Sequence, residues 1–119
     1  MKKVGLISVP VTDQQKAKDF YLRMGLKLVA ENNFEKQKWI QLSFPEGGGP
    51  DLTLVNWFPD MPAGYLRGFT ILTDDITADI ATLQSNGIST GKIDETPWGK
   101  FVSITDPDGN KWTLHQRDR

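Results

Sequence analysis

The chain of 119 residues holds one imidazole, His115, and no thiol. His115 is the only side chain whose ordinary pKa lies near neutrality, which makes it the candidate general base or ligand-contacting donor. A hydrogen-bonded structural histidine is the plainer alternative, since His115 sits two residues from the end of the last expected strand. The lack of cysteine excludes disulfides, thiolate catalysis and cysteine-ligated metals. Asp106 and Asp108 are acidic enough to suggest catalysis or calcium. Nothing beside them supplies the remaining oxygen ligands, so Asp106-Pro107-Asp108-Gly109-Asn110 reads as turn chemistry. Four tryptophans remain, Trp39, Trp57, Trp98 and Trp112. They make aromatic stacking the chemistry to look for.

A repeated pattern of elements carries these residues. Gly5-Leu6-Ile7-Ser8-Val9-Pro10-Val11-Thr12-Asp13 is matched by Gly68-Phe69-Thr70-Ile71-Leu72-Thr73-Asp74-Asp75, with an offset of 62 between Asp13 and Asp75. Asp13 to Gly25 and Asp75 to Gly87 both span twelve residues, and Pro45-Glu46-Gly47 falls on Pro107-Asp108-Gly109. Agreement in element order, turn chemistry and spacing together points to a duplicated module. Ala17, Phe20, Tyr21 and Met24 form one helical stripe over 13–24, and Ile76, Ile80 and Leu83 form another over 75–86. Thr12 with Gln15 suggests a capping box, and Gly25 and Gly87 suggest helix stops. Strands are expected at 4–11, 26–33, 37–44 and 51–57, then at 67–73, 88–94, 100–105 and 111–117. The order is βαβββ, twice. The whole chain, 1–119, thus reads as one α+β domain of two tandem βαβββ modules, about 3–57 and 67–117. A linker rich in proline and glycine, 58–66, joins them, and the modules should form a curved mixed sheet around a cleft.

Fourteen basic and fifteen acidic residues give a net charge of -1, with 38% hydrophobic and 24% charged residues. These values fit a globular domain and argue against nucleic acid as a partner. No apolar run approaches the ~20 residues of a membrane helix. Residues 1–10 carry Lys2 and Lys3 but then Gly5, Ser8 and Pro10, without the apolar stretch of a secretion signal. A cytoplasmic protein acting on something small is expected.

The βαβββ–βαβββ order, Val11-Thr12-Asp13 with Ala17 and Asp19-Phe20-Tyr21, and the closing Asp106-Pro107-Asp108-Gly109-Asn110 resemble the vicinal oxygen chelate superfamily. That group includes glyoxalase I, fosfomycin resistance enzymes, extradiol dioxygenases and bleomycin resistance proteins. The resemblance covers about residues 3–117, and its motifs mark the fold rather than a reaction. In the metal-dependent members, His, Glu or Gln side chains from the first and last strands of each module hold a divalent ion. Carried over, those positions are Leu6, Leu52, Phe69 and Thr113. Three have no donor atom and the fourth offers only a hydroxyl, so no metal cofactor is expected. A divalent ion would require a different ligand assignment. Among the neighbouring residues, only Asp51 could coordinate strongly.

Alternation along the strands from these positions brings Ser8, Trp39, Gln41, Ser43, Leu54, Asn56, Arg67, Phe69, Thr113 and His115 toward the cleft. Trp112 is assigned to the core between sheet and helix. Trp39, Trp57 and Trp98 stay open between packing, dimer contact and a ligand platform, and Arg67 between an anion partner and a rim charge. The preferred reading is a metal-independent, bleomycin-resistance-like protein that binds a small hydrophobic or aromatic molecule in a tryptophan-lined cleft. The alternative is a superfamily enzyme: a glyoxalase-like lyase, a dioxygenase-like protein, or a metal-free acid/base catalyst using His115. A third reading makes the cleft vestigial and the dimer surface functional. A homodimer is expected because open sheets would expose apolar faces.

Overall fold

The computed structural model describes residues 1–118. Ten elements follow in order: β1 (Leu6–Pro10), α1 (Gln14–Met24), β2 (Lys27–Phe34), β3 (Gln37–Ser43), β4 (Asp51–Val55), β5 (Phe69–Leu72), α2 (Ile76–Ser85), β6 (Asp94–Thr96), β7 (Gly99–Thr105) and β8 (Lys111–Arg117). They build two separate four-stranded sheets, sheet A with order β1-β4-β3-β2 and sheet B with order β5-β8-β7-β6. In each, the first strand runs parallel to the last, and the remaining neighbours are antiparallel. This is the expected α+β fold of two βαβββ modules.

Local chemistry explains the helices. Asp13 caps α1 by accepting hydrogen bonds from the backbone N–H groups of Gln15 and Lys16, and Gly25 ends it at φ 116°. The cap is therefore Asp13 and not Thr12, whose hydroxyl donates instead to Asp108 Oδ1 across the modules at 2.7 Å. Asp75 caps α2 in the same way, through Ala78 N. Both predicted stripes are buried or packed on the core. The strand expected at 88–94 appears only as a bridge, Thr90 to Ile104, followed by the short β6. Pro97 and Trp98 form the turn that sets Thr96 opposite Gly99, so the hairpin begins later than the apolar pattern suggests.

One core serves both modules, and it lies on the helix sides of the sheets. Val9, Ile40, Leu42, Leu52 and Leu54 of sheet A join Val102, Ile104, Trp112 and Leu114 of sheet B, with Ala17, Phe20, Tyr21, Ile76 and Leu83 from the helices. Trp112, 2% exposed, takes its expected core position. A buried polar network locks the modules together. Tyr21 Oη donates to Asp106 Oδ2 at 2.7 Å and accepts from Trp112 Nε1 at 2.9 Å. Asn110 Nδ2 donates to Pro10 O and to Asp106 Oδ2, both at 2.8 Å, and its Oδ1 accepts from Leu66 N at 3.0 Å. Burial, reinforced by the Asp106 carboxylate, pushes the Tyr21 phenol well above its ordinary pKa, so it stays a neutral donor. Among the described residues no buried side-chain nitrogen or oxygen lacks a hydrogen bond, and the staple fixes how β1 and the linker meet module two.

Candidate binding faces

With the core on the helix sides, the opposite faces of the two sheets are the surfaces left for a ligand. Residues paired across neighbouring strands share a face, so register decides which side chains these are. On sheet A, Leu6 pairs with Asp51, Ser8 with Thr53, and Thr53 with Gln41. Ser8 Oγ lies 3.4 Å from Thr53 Oγ1. Trp39 Nε1 donates to Gln41 Oε1 at 3.1 Å, and Gln41 Nε2 donates to Asp51 Oδ2 at 2.7 Å. An indole, an amide and a carboxylate are thus held in one chain of hydrogen bonds, flanked by two hydroxyls.

On sheet B, the row Thr70, Thr113 and Ser103 supplies three more hydroxyls across β5, β8 and β7. The next row is Leu72, His115, Phe101 and Asp94. His115 stacks flat on Phe101, with ring centroids 4.1 Å apart and planes at 6°. Its Nε2 lies 3.0 Å from Trp98 O. A carbonyl only accepts, so Nε2 carries the proton, and Nδ1 alone keeps a lone pair in the neutral ring. Trp98 stands beside this pair, 74% exposed.

Several predicted residues occupy other places. Leu52 and Leu54 are in the core on the helix side, and Thr53 takes the face position between them. Phe69 pairs with Trp112 at a ring distance of 5.9 Å, so the face position belongs to its neighbour Thr70. Arg67 is drawn to the turn, its Nη1 2.8–2.9 Å from the carbonyl oxygens of Gly64, Leu66 and Gly109. Asn56 is exposed beyond the end of β4. Ser8, Trp39, Gln41, Thr113 and His115 lie on the expected faces. Asp51, Thr53, Thr70, Leu72 and Phe101 were missed. Counting back along β7 from the Asp106–Asn110 turn would have found Phe101 opposite His115.

The corrected register also changes which residues occupy the family's metal row. Leu6, Asp51, Thr70 and Thr113 now fill it, with a single carboxylate that already accepts from Gln41. Among the described residues, no group of three or more His, Asp or Glu side chains could hold a metal ion. The donor set does not fit the divalent ion that the metal-dependent relatives use.

Among the described residues, no side-chain hydrogen bond joins the two faces. Among the described residues, the side-chain bonds that join the modules come from the helix sides and the turns, such as Thr12 to Asp108, Tyr21 to Asp106 and Arg23 to Asn86. A concavity of about 1510 Å³ lies between the modules, bordered by Ile7, Phe44, Asp51, Thr70, Trp112 and Leu114. It runs past β1 and β5, each of which is an outer strand of its sheet. Leu6, Phe69 and Leu72 on those strands are 39–58% exposed.

Two βαβββ modules, each a four-stranded mixed sheet packed on a helix, define a known class of protein. A family model for the Glyoxalase/Bleomycin resistance protein/Dioxygenase superfamily matches residues 3–114. The chain belongs to that superfamily. It is 44% identical to TnmS3, an antibiotic binding protein from Streptomyces sp. CB03234, with a TM-score of 0.91 over 99% of this chain and 98% of that one. A glyoxalase/bleomycin resistance protein from the same organism is 45% identical, with a TM-score of 0.84 over 96% of this chain and 100% of that one. The uncharacterized protein YetH of Bacillus subtilis (strain 168) is 26% identical, the match covering 98% of this chain and 99% of YetH.

Proposed function

We propose that this protein binds small aromatic molecules without a metal ion, and that it does so as a homodimer. In the dimer, sheet A of one protomer and sheet B of the other would form each cleft. The observation that carries the reading is the content of the two faces. The row where relatives carry metal ligands is filled by one carboxylate, hydroxyls and a leucine, while Trp39 and the Phe101–His115 stack offer flat apolar surfaces. Each aromatic contact is worth about 0.5–1.5 kcal/mol beyond area burial. Two such surfaces closing on one ring system suit micromolar or tighter capture. The 44% identity to an antibiotic binding protein supports an antibiotic-like ligand.

The dimer reading rests on edges and grooves. β1 and β5 each have one open side, and an open edge beside exposed apolar side chains is a surface that another chain covers. The groove between the modules would be closed by the same contact. His115, with its ring stacked and its Nε2 engaged, serves better as part of a platform than as a proton acceptor. A cytoplasmic site of action is part of this proposal.

The test is tryptophan fluorescence titration with a panel of polycyclic aromatic antibiotics, with and without chelator, alongside light scattering. Saturable quenching unaffected by chelator, by a species of twice the chain mass, is the expected result. A metal near one ion per chain by elemental analysis, with binding abolished by chelator, would overturn the metal-independent reading. A monomer at all concentrations would overturn the composite cleft.

A further inference from the structure

Asp51 stands out on the binding face of sheet A. It is a half-buried carboxylate with a hydrogen bond to one oxygen only, Oδ2, from Gln41 Nε2. Oδ1 has no side-chain partner among the described residues, and Asp51 is in none of their ion pairs, Lys18–Glu31, Arg23–Asp19, Lys38–Glu31 and Lys100–Glu95. The cation of the same face, Lys27, is paired with Ser43 two strands away, roughly 10 Å by strand spacing. Its surroundings are the apolar Leu6, the hydroxyls of Ser8 and Thr53, and the Gln41–Trp39 chain. When a ligand covers this face, water is displaced from the open oxygen, and a carboxylate deprived of water is costly unless a donor replaces it.

Resting on the aromatic-ligand reading above, we infer that Asp51 selects the ligand's chemical class: an aromatic molecule carrying an ammonium or comparable N–H donor. Gln41 is the positioning residue. Its amide is oriented at both ends, Oε1 accepting from Trp39 and Nε2 donating to Asp51, so the ring surface and the carboxylate are presented in a fixed relation. A ring laid on Trp39 with an amine on a short arm can therefore meet both. Sheet B contributes hydroxyls and the Phe101–His115 stack to the same cleft and can accept the remainder of the ring system.

The experiment compares two probes of one shape, 2-(aminomethyl)naphthalene, protonated at neutral pH, and 2-methylnaphthalene. Wild-type protein is expected to bind the amine about tenfold more tightly, the usual size of a charge-assisted hydrogen bond. In Asp51→Asn the remaining carbonyl oxygen still accepts from Gln41, so the local structure is retained, and the preference should fall to within about twofold. The wild-type ratio needs no variant, and added salt should lower it. Equal binding of both probes by wild-type protein overturns the assignment of Asp51 while the aromatic-binding reading stands. So does an undiminished preference in Asp51→Asn. If neither probe binds at all, the reading and the inference fall together.

Discussion

Residues 45–49 and 106–110 occupy the same place in the two modules, the turn before the last strand, and they are built in opposite ways. Pro45, Glu46, Gly47, Gly48 and Gly49 are all exposed, and the turn is closed by one backbone bond from Gly47 N to Phe44 O. Asp106 and Asn110 are buried, and the Asp106 carboxylate accepts from Asp108 N, Asn110 N, Tyr21 Oη and Asn110 Nδ2. One copy of the turn connects two strands. The other connects two strands and two modules. A duplicated unit must acquire an asymmetric contact if its halves are to hold one orientation, and this turn supplies it. The faces have diverged as well: sheet A carries a carboxylate–amide–indole chain, sheet B a ring stack. A cleft assembled from unlike walls can hold an unsymmetrical ligand in one orientation.

The sharpest way to break this comparison is to remove the carboxylate from each turn. Asp106→Ala strands four donors, three of them buried, and should cost at least about 3 kcal/mol in urea unfolding. Glu46→Ala in the first module should stay within about 0.5 kcal/mol. Similar values for the two would mean that the network joining the modules carries no special share of stability.

Glycines refine the same contrast. Gly64, at φ +85°, lies against the second turn so closely that an added Cβ would sit 2.3 Å from Asp108 O. Gly48, at φ +79°, has nothing within 4 Å of such a Cβ. Gly64→Ala should therefore lose more than about 2 kcal/mol, through strain and displacement of the linker. Gly48→Ala should lose only the left-handed penalty, about 1 kcal/mol. Thermal unfolding of the two variants ranks them directly.

Tyr21 tests the contribution from the first module's helix. The 62-residue offset sets it opposite Leu83, buried but apolar in α2. Tyr21→Phe keeps the ring on Phe20 and Trp112 while deleting the donor to Asp106 and the acceptor for Trp112 Nε1. A loss of about 1–2 kcal/mol is expected, with native-like near-ultraviolet dichroism retained. A neutral outcome would assign the staple to Asn110 alone.

How much of this could be read from the sequence depended on where burial is one-sided. The helix stripes were legible because α1 and α2 each have a wet face, and so was the face of β3, where Ile40 and Leu42 alternate with Trp39 and Gln41. β4 was not. Leu52, Thr53, Leu54 and Val55 are all buried, so no alternation marks which face is which, and the assignment slipped by one from Asp51 to Leu52. β5 has four residues, three of them apolar, and slipped in the same way from Thr70 to Phe69. Arg67 was misread for another reason. The carbonyls that capture it come together only when the linker packs on the Gly109 turn, an arrangement that no local pattern encodes.

The smallest expected effect concerns a cluster found in the first module only. Glu31 on β2 accepts from Lys18 Nζ at 2.8 Å and Gln15 Nε2 at 3.2 Å, and pairs with Lys38 Nζ at 2.9 Å. The equivalent position in the second module is Ile93, 40% exposed. Hydrogen bonds from Lys18, Lys38 and Gln15 lower the Glu31 pKa from 4.5 to about 2. A carboxyl whose pKa is depressed by folding stabilises the native state above its unfolded pKa. That contribution fades as the pH falls from about 4.5 toward about 2. Glu31→Gln should therefore be slightly less stable than wild type at neutral pH and indistinguishable from it near the bottom of that window. Solvent screening keeps the difference small. Denaturation midpoints of the two proteins across the window should converge as acid is added. A gap that stays constant would show that Glu31 acts through its shape and neutral hydrogen bonds, and the first module would then have no charge-dependent clasp to set against the buried staple that joins the two.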